Sequence, residues 1–327
     1  MKIRIVVTLL AVAAVTIGIV CSARADQDSA IPAHNIGAAG RPAEPQPMPS
    51  PSLMEREKLT GDWGGVRSWL KEHGITVNPR LTQFYQGMPA GDGAHGFEYG
   101  GKADLLLNAD LSKFYLWKGL SLTIHGEYNF GEAVNGRGGT IAPANTALYF
   151  PGTEGGDAYD LSSFYLGQRF GDSVSLLVGK INIVDLASTK PFMGGAGIDS
   201  FWNSVFVATP SGTVPPYLWG AISTWRTDIA TVGLWVYDPN SYVNRPLDDR
   251  FADGITVRAP VEFPVTILGL SGHQGFVVTY STQDGTDLES VDDMLIPQYP
   301  ASASVKSNRY YAAYTFDQYL YQSKEDP

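Results

Sequence analysis

Charged side chains inside otherwise apolar segments are the residues of this sequence with the clearest potential for chemistry. Asp104 lies in one such segment, and His125 and Glu127 lie in the next. Two carboxylates flanking a bond, such as Asp104 and Glu127, are what hydrolysis of a glycosidic linkage requires. The same side chains also suit a wall that faces water and offers hydrogen-bond donors and acceptors. The choice between these interpretations depends on the elements that position the residues.

Both segments alternate between polar and apolar side chains. In 102–110 the even-numbered residues are mainly polar, and the odd-numbered ones are leucine and alanine. In 120–130 the odd-numbered residues are polar, and the even-numbered ones are mainly larger apolar residues. Successive side chains on a strand point to opposite faces, so each segment has one apolar and one polar face. A membrane-spanning β-barrel with a polar lumen shows this pattern, and so does a half-exposed sheet of a soluble protein.

Composition narrows the class of protein. The 327 residues include 36 Gly, 17 Tyr and 7 Trp and are only 17% charged, which does not suit a disordered chain. The net charge of −10 argues against nucleic acid as a partner. No run after residue 20 approaches the roughly 20 apolar residues of a spanning helix. If the chain crosses a membrane, we expect it to do so by strands.

Residues 1–25 are predicted to be a signal peptide. Lys2 and Arg4 form a charged start, an apolar run follows, and an Ala-Arg-Ala cleavage site ends at Ala25. An uncleaved anchor helix is the alternative. Cys21, the only cysteine, would leave with the signal, so the mature chain would have no disulfide, no cysteine nucleophile and no zinc ribbon.

Two short regions precede the candidate strands. Residues 26–58 contain five prolines between 42 and 51 and are predicted to form an extended linker. Residues 59–74 are predicted to form a short amphipathic helix that docks on the following sheet, with Asp62 as its cap and Gly74 at its end.

Recognisable metal and catalytic motifs are absent from the sequence. The five histidines show no ligand spacing, and there is no Gly-x-Ser-x-Gly elbow. The loop aspartates lack the ordered spacing of a calcium site, and the glycines of 194–197 lack the strand–loop–helix context of a nucleotide site. We therefore predict no catalytic residue, no metal and no cofactor.

The segment Leu-Thr-Gly-Asp-Trp-Gly-Gly-Val-Arg at 59–67 leads through a short helix to Gly74 and Ile75, and it resembles the entry of carbohydrate-selective porins of the OprB type. The resemblance spans about 59–320 and continues in the segments 165–172, 177–180, 201–210 and 232–238. It implies an all-β protein, a sixteen-stranded antiparallel outer-membrane β-barrel that passes sugars by facilitated diffusion.

About ten strands are predicted in 75–327, separated by Gly, Asp, Asn and Pro turns. They are 75–86, 99–111, 120–131, 159–170, 173–182, 215–226, 229–237, 253–259, 273–282 and 307–317. Which side chains of 159–182 point to the lumen is left undecided, because polar and apolar residues do not alternate regularly there. Long pieces at 132–158, 186–214 and 283–306 are predicted to be extracellular or inward-folded loops. Ten strands are fewer than sixteen, so we expect an incomplete barrel, a truncated product or fragment that should not form a working pore alone.

Under the porin interpretation, the alternation of side chains along each strand places a set of charged residues on the lumen face. Charge in a spanning strand is tolerated on this face because it meets water. Arg80 and Glu127 are the strongest candidates to contact sugar, and a solvated wall residue is the alternative for each. Trp202 is predicted to be a stacking platform or part of the interfacial aromatic girdle. The Gly-rich stretch 192–203 is predicted to narrow the pore. The candidate pore-lining residues are Arg80, Lys102, Asp104, His125, Glu127, Trp202, Arg258 and Arg309.

Three functions remain open at this point. The favoured one is a carbohydrate-selective outer-membrane porin whose partners are small sugars and outer-membrane lipid, and a homo-oligomer is compatible with it. The second is an exported soluble β-rich enzyme acting on polysaccharides, with Asp104 and Glu127 as its carboxylates. The third is a structural outer-membrane protein without an open pore. Sugar uptake and partition into detergent distinguish them.

Overall fold

The computed structural model describes residues 56, 58–137, 142–152, 157–188, 201–207, 213–240, 251–286 and 304–321. The chain divides into two units, Met1–Leu59 and Thr60–Pro327, and every helix and strand described belongs to the second. The predicted signal peptide lies outside the described residues, and so does the predicted linker except for Arg56 and Lys58.

The predicted N-terminal helix is present. A 3-10 turn, Trp63–Gly65, leads into α1, Val66–Glu72. The N-cap residue of α1 is Gly65, not the predicted Asp62. The carboxylate of Asp62 nevertheless accepts hydrogen bonds from the backbone amide of Ser68 at 2.8 Å and from the Ser68 hydroxyl at 2.9 Å, so it satisfies one amide of the first turn. Gly74 follows with a φ of 84°, a conformation that favours glycine. No side chain of α1 is fully buried among the described residues, so the predicted docking face packs only loosely.

Ten long strands form one antiparallel sheet, as predicted. In sequence order they are β1 Ile75–Met88, β2 Gly96–Asp110, β3 Leu120–Gly131, β4 Ala158–Phe170, β5 Val174–Asn182, β6 Tyr217–Arg226, β7 Thr231–Tyr237, β8 Thr256–Ile267, β9 Leu270–Ser281 and β12 Arg309–Gln318. Each strand pairs with its neighbour along the chain, and β9 pairs with β12. In the sequence between β9 and β12, the short strands β10 Gly285–Thr286 and β11 Val305–Lys306 form a separate two-stranded sheet.

Short helices and irregular segments complete the described fold. α2, Ile183–Ala187, follows β5, and α3, Ser204–Val207, precedes β6. No helix in the described part of the chain is long and apolar enough to cross a membrane.

In the middle of β2 and β3, polar side chains are covered, whereas Leu105 and Tyr128 on the apolar face are exposed. The Leu105 side chain is 47% exposed, but Lys102 and Glu127 are each only 5% exposed. A water-soluble sheet shows the reverse, because apolar side chains leave water on folding. A sheet whose apolar side meets lipid and whose polar side is enclosed has this arrangement. The alternation in the sequence therefore predicted the two faces correctly.

A β-bulge explains why the alternation is unclear in β4, the first half of 159–182. The β3–β4 register shifts between His125 and Gly126, and this shift leaves Ser162 without a partner across the ladder. One extra residue in a strand exchanges the faces to which odd- and even-numbered side chains point. The exposed aromatic residues are therefore odd-numbered before the bulge, as at Tyr159, and even-numbered after it, as at Phe164. The two halves of β4 thus keep their apolar residues on one face.

A small apolar core lies where β5, β6 and β7 meet. Ile181, Leu218, Ile222 and Tyr237 are buried against one another. The Tyr237 hydroxyl donates to the carbonyl of Thr213 at 2.9 Å, which satisfies its polar atom inside this core. This packing fixes the ends of β5 and β6, from which Lys180, Asn182 and Tyr217 extend toward the polar face.

Candidate functional site

Lys102 and Glu127 form the centre of a buried polar network between β2 and β3. The Lys102 ammonium makes an ion pair with Glu127 Oε1 and donates to the carbonyl of Phe150 at 2.8 Å. Glu127 Oε2 accepts a hydrogen bond from the Tyr217 hydroxyl at 2.8 Å and another from the side-chain amide of Asn182, Nδ2, at 3.5 Å. A buried carboxylate needs such partners, because an unpaired charge away from water is very costly.

His125 lies between two carboxylates. Its Nε2 is 3.1 Å from Asp104 Oδ1, and its Nδ1 is 2.7 Å from Asp185 Oδ2. An imidazolium, which donates from both nitrogens, fits this position. Asp185 is held in the first turn of α2, where the side-chain oxygen of Asn182 accepts from the amides of Val184 and Asp185. The cap of a short helix therefore positions one of the two carboxylates.

A second buried ion pair adjoins the first. Lys180 Nζ is 2.9 Å from Asp160 Oδ1, and both side chains are almost fully buried. The Lys180 ammonium also lies 5.4 Å from the centre of the Tyr217 ring. Tyr217 therefore contacts both ion pairs, Lys180 with its ring and Glu127 with its hydroxyl. We call this group the charge cluster; it consists of Lys102, Asp104, His125, Glu127, Asp160, Lys180, Asp185 and Tyr217.

Residues 142–152, here named the inner segment, fold over the polar face of β1–β3. Besides the contact of Lys102 with Phe150, the side-chain amide of Asn129 donates to the carbonyl of Pro151 at 3.0 Å. The side-chain amide of Asn145 donates to Gln86 Oε1 at 2.5 Å. The inner segment was one part of the predicted loop 132–158, and the structure shows that it folds inward.

Trp202 is attached to the inner segment. Its carbonyl accepts from the amide and the hydroxyl of Thr146, at 2.8 and 2.9 Å. Its ring meets Phe84 of β1 edge to face, with centroids 5.6 Å apart. Of the stretch 192–203 that was predicted to narrow the pore, residues 192–200 lie outside the described residues. The described end, 201–203, packs beside the inner segment.

Arg258 occupies a different part of the sheet. Its guanidinium carbon lies 5.5 Å from the ring centre of Trp235 and 6.0 Å from that of Tyr311, and Nη1 donates to the Thr279 hydroxyl at 3.2 Å. The register places Trp235, Arg258, Thr279 and Tyr311 in one row across β7, β8, β9 and β12. We call these four residues the arginine row.

The remaining two predicted arginines lie near these groups. Arg309 is in the next row of the same face, opposite Ser281, and donates to Gln283. Arg80 is exposed on β1 and faces Asp104 of β2 across the ladder. The structure thus brings Lys102, Asp104, His125 and Glu127 into one cluster and leaves the other predicted residues around it.

Sequence reasoning missed half of the charge cluster. Asp160 lies in β4, where the bulge inverts the alternation. Lys180 lies in β5, whose apolar residues do not alternate regularly with polar ones, and Asp185 lies in a short helix after β5. Tyr217 begins β6 and had no distinguishing pattern. The aromatic residues of the arginine row also gave no signal, since tyrosine and tryptophan occur on both faces of the strands.

The charge cluster contains one set of atoms with the spacing of metal ligands. Asp104, His125 and Glu127 each offer an atom within 4.8 Å of the others. However, Lys102 already neutralises Glu127, and both nitrogens of His125 already contact carboxylates. A cation would have to displace these partners, so the arrangement suits ion pairing better than metal binding. For the same reason Asp104 and Glu127 are poorly placed to act as a hydrolytic pair.

Comparison with known proteins identifies the family. A sequence model described as the OprB family of carbohydrate-selective porins matches residues 94–327. The chain belongs to this family. The family is one of porins, and the exposed Leu105 and the covered charges of β2 and β3 fit the wall of a membrane channel.

One solved structure supports the same fold. The high-pH structure of Pseudomonas putida OprB superimposes with a TM-score of 0.65 at 17% identity, covering 82% of this chain and 66% of the other. The low-pH structure of the same protein gives a TM-score of 0.37 at 16% identity, over 71% of this chain and 66% of the other. The chain therefore spans just under two thirds of the length of the OprB chain. No curated protein matches it.

Proposed function

We propose that this chain belongs to an outer-membrane channel that passes small sugars by facilitated diffusion. The observation that carries the proposal is the reversed sheet, with Leu105 exposed while Lys102 and Glu127 are covered. Such a wall separates a lipid-facing surface from a polar interior. Membership of a carbohydrate-selective family supports sugars as the solutes.

The polar face has the chemistry that a sugar requires. Sugar hydroxyls both donate and accept hydrogen bonds, and sugar ring faces pack on aromatic rings. The charge cluster provides a rigid boundary, because its charges are held by partners inside the protein. The donors and aromatic faces come from exposed Arg80, from Trp202 beside the inner segment and from the arginine row. Contacts of this kind bind weakly enough for a solute to leave again.

A working pore also requires the sheet to close. In the described residues, β1 and β12 are the outermost strands of the sheet and do not pair with each other. An open strand edge in hydrocarbon costs several kcal/mol for each unpaired backbone group. We infer that the unit 75–327 is an incomplete barrel and conducts only when further strands join these two edges. Residues 1–25 would direct export, and residues 26–58 would form the linker to the barrel.

Liposome swelling tests the proposal. The protein is extracted from the outer membrane in mild detergent, so that whatever closes the sheet in the cell is retained, and is reconstituted with sugars of graded size. We expect uptake of monosaccharides to be fastest and to fall with size. Uptake no faster than in protein-free vesicles would favour a structural outer-membrane protein. Recovery of the folded protein in detergent-free buffer would favour a soluble protein.

A further inference from the structure

We propose that the turn between β2 and β3, residues 111–119, binds the headgroup of an anionic phospholipid. This turn lies at the end of the sheet where the described connections between strands are short, as at 171–173, 227–230 and 268–269. Short turns mark the periplasmic end of an outer-membrane barrel, so the bound lipid would belong to the inner leaflet of that membrane. The inference rests on the membrane-spanning part of the proposed function and does not depend on the passage of sugar.

Two aromatic side chains of the β2–β3 turn extend away from the sheet. Tyr115 is 96% exposed, and Trp117 is 64% exposed. The indole Nε1 of Trp117 donates to Gln168 Oε1 at 2.6 Å, and Gln168 Nε2 donates to the carbonyl of Lys118 at 3.0 Å. These two hydrogen bonds hold the turn against the end of β4.

The contact with Gln168 places Trp117 beside the apolar face of the sheet. Leu166 and Phe164, two and four residues before Gln168, are both 47% exposed on that face. Because every second residue of a strand shares a face, the side chain of Gln168 belongs to the same one. Trp117 therefore lies where the lipid-facing surface ends. An indole, which has an apolar ring and a polar N–H, favours this interfacial zone of a membrane.

Lys113 and Lys118 give the β2–β3 turn a local positive charge. Both residues are exposed, and 111–119 contains no acidic residue, although the whole chain has a net charge of −10. Neither ammonium group has an ion pair or a hydrogen bond among the described residues. The preceding acid, Asp110, is engaged by Ser112, whose amide and hydroxyl donate to its carboxylate at 3.0 and 2.5 Å. The two lysines are therefore available to an external anion.

A phospholipid phosphate fits this combination of groups. Lysine binds phosphate as a point charge, and basic residues near a membrane surface attract anionic lipids. The aromatic residues of the turn continue the apolar face that the proposed function assigns to lipid, which favours a lipid over a soluble protein as the partner. A headgroup bound at the turn would meet the two lysines, and its acyl chains would lie along β3 and β4.

Native mass spectrometry of the extracted protein tests this inference. The protein is titrated in mild detergent with phosphatidylglycerol and with phosphatidylcholine, which is given the same acyl chains and has no net charge. Each lysine near a membrane surface adds about fivefold to the affinity for anionic lipid, so we expect phosphatidylglycerol to bind about twentyfold more tightly. Equal affinity for the two lipids overturns the inference, and this comparison needs no variant. Displacement of the lipid by glycerol 3-phosphate would overturn the assignment to a lipid.

Variants then locate the contact, and heat-modifiable mobility on gels checks that each one is folded. Lys113→Gln should lower the affinity for phosphatidylglycerol about fivefold, and adding Lys118→Gln should remove the preference over phosphatidylcholine. Lys306→Gln removes the same charge from exposed β11, at the opposite end of the sheet, and is the matched control. An equal effect of Lys113→Gln and Lys306→Gln overturns the inference.

This assay requires no open pore, so its failure leaves the result of liposome swelling unaffected. Recovery of the folded protein in detergent-free buffer would instead refute both the lipid contact and the proposed function.

Discussion

The hydroxyl of Tyr217 on β6 lies 2.8 Å from Glu127 Oε2 on β3, although β4 and β5 separate the two strands. In a flat sheet, strands three positions apart are about 14 Å from each other. The contact therefore requires the sheet to curve toward its polar face. Curvature of this kind gathers charges from five elements into one cluster, and it gives the polar side the concave form of a channel wall.

The Tyr217 contact can be tested by removing the hydroxyl. Tyr217→Phe leaves Glu127 with one donor fewer in a buried position, so we expect the free energy of unfolding to fall by about 1–3 kcal/mol. The measurement is urea unfolding in detergent micelles. Tyr159→Phe, on the exposed apolar face, is the control and should change stability little. Equal losses for the two variants would contradict the role given to Tyr217.

The facing of β2 predicts a difference between two leucines of equal exposure. Leu105 in β2 and Leu116 in the turn after it are both 47% exposed. Leu105→Lys would place a charge on the lipid side, at a cost of about 2–4 kcal/mol near the middle of the membrane. We expect it to reduce the amount of folded protein in the outer membrane, whereas Leu116→Lys should not. A soluble protein would tolerate both changes alike.

The pair Lys102 and Glu127 predicts strong thermodynamic coupling. Lys102→Met leaves a buried carboxylate without its counter-ion, so we expect a loss of about 3 kcal/mol in the free energy of unfolding. Adding Glu127→Gln removes that uncompensated charge, and the double variant should be less destabilised than the sum of the single ones. The more exposed pair Arg137 and Glu98 should show weaker coupling in the same cycle. Additive effects at Lys102 and Glu127 would argue against the buried pair.

The bulge at Ser162 predicts that one residue can be removed from β4 at this position without exchanging the faces of the strand. Leu161 and Ser163 already pair with Gly126 and His125, two consecutive residues of β3, so deletion of Ser162 restores regular alternation and leaves Tyr159 on the apolar side. We expect this variant to keep its heat-modifiable mobility on gels, the usual sign of a folded barrel. Deletion of Tyr165, where the ladder is regular, should abolish that mobility, because one half of the strand must then exchange its faces. Equal loss of folding in the two deletion variants would refute the register.

The sequence alone determined the strands and their faces in β1–β3. This information is local, because successive side chains on a strand point to opposite faces and a period of two is visible over about ten residues. Alternation by itself therefore places Arg80, Lys102, Asp104, His125 and Glu127 on the polar face. The signature at 59–67 indicated the family, which the match over 94–327 shows.

Only the tertiary structure decided which of these charges meet. His125 and Asp185 are separated by 60 residues in the sequence, and Tyr217 and Glu127 by 90, so no local pattern records their contacts. The bulge at Ser162 inverts the parity of β4 and hides Asp160 from a periodicity argument. Curvature of the sheet brings these distant positions together. It therefore makes Glu127 a buried, paired residue and leaves Arg258 as the cation with aromatic neighbours and no carboxylate among the described residues.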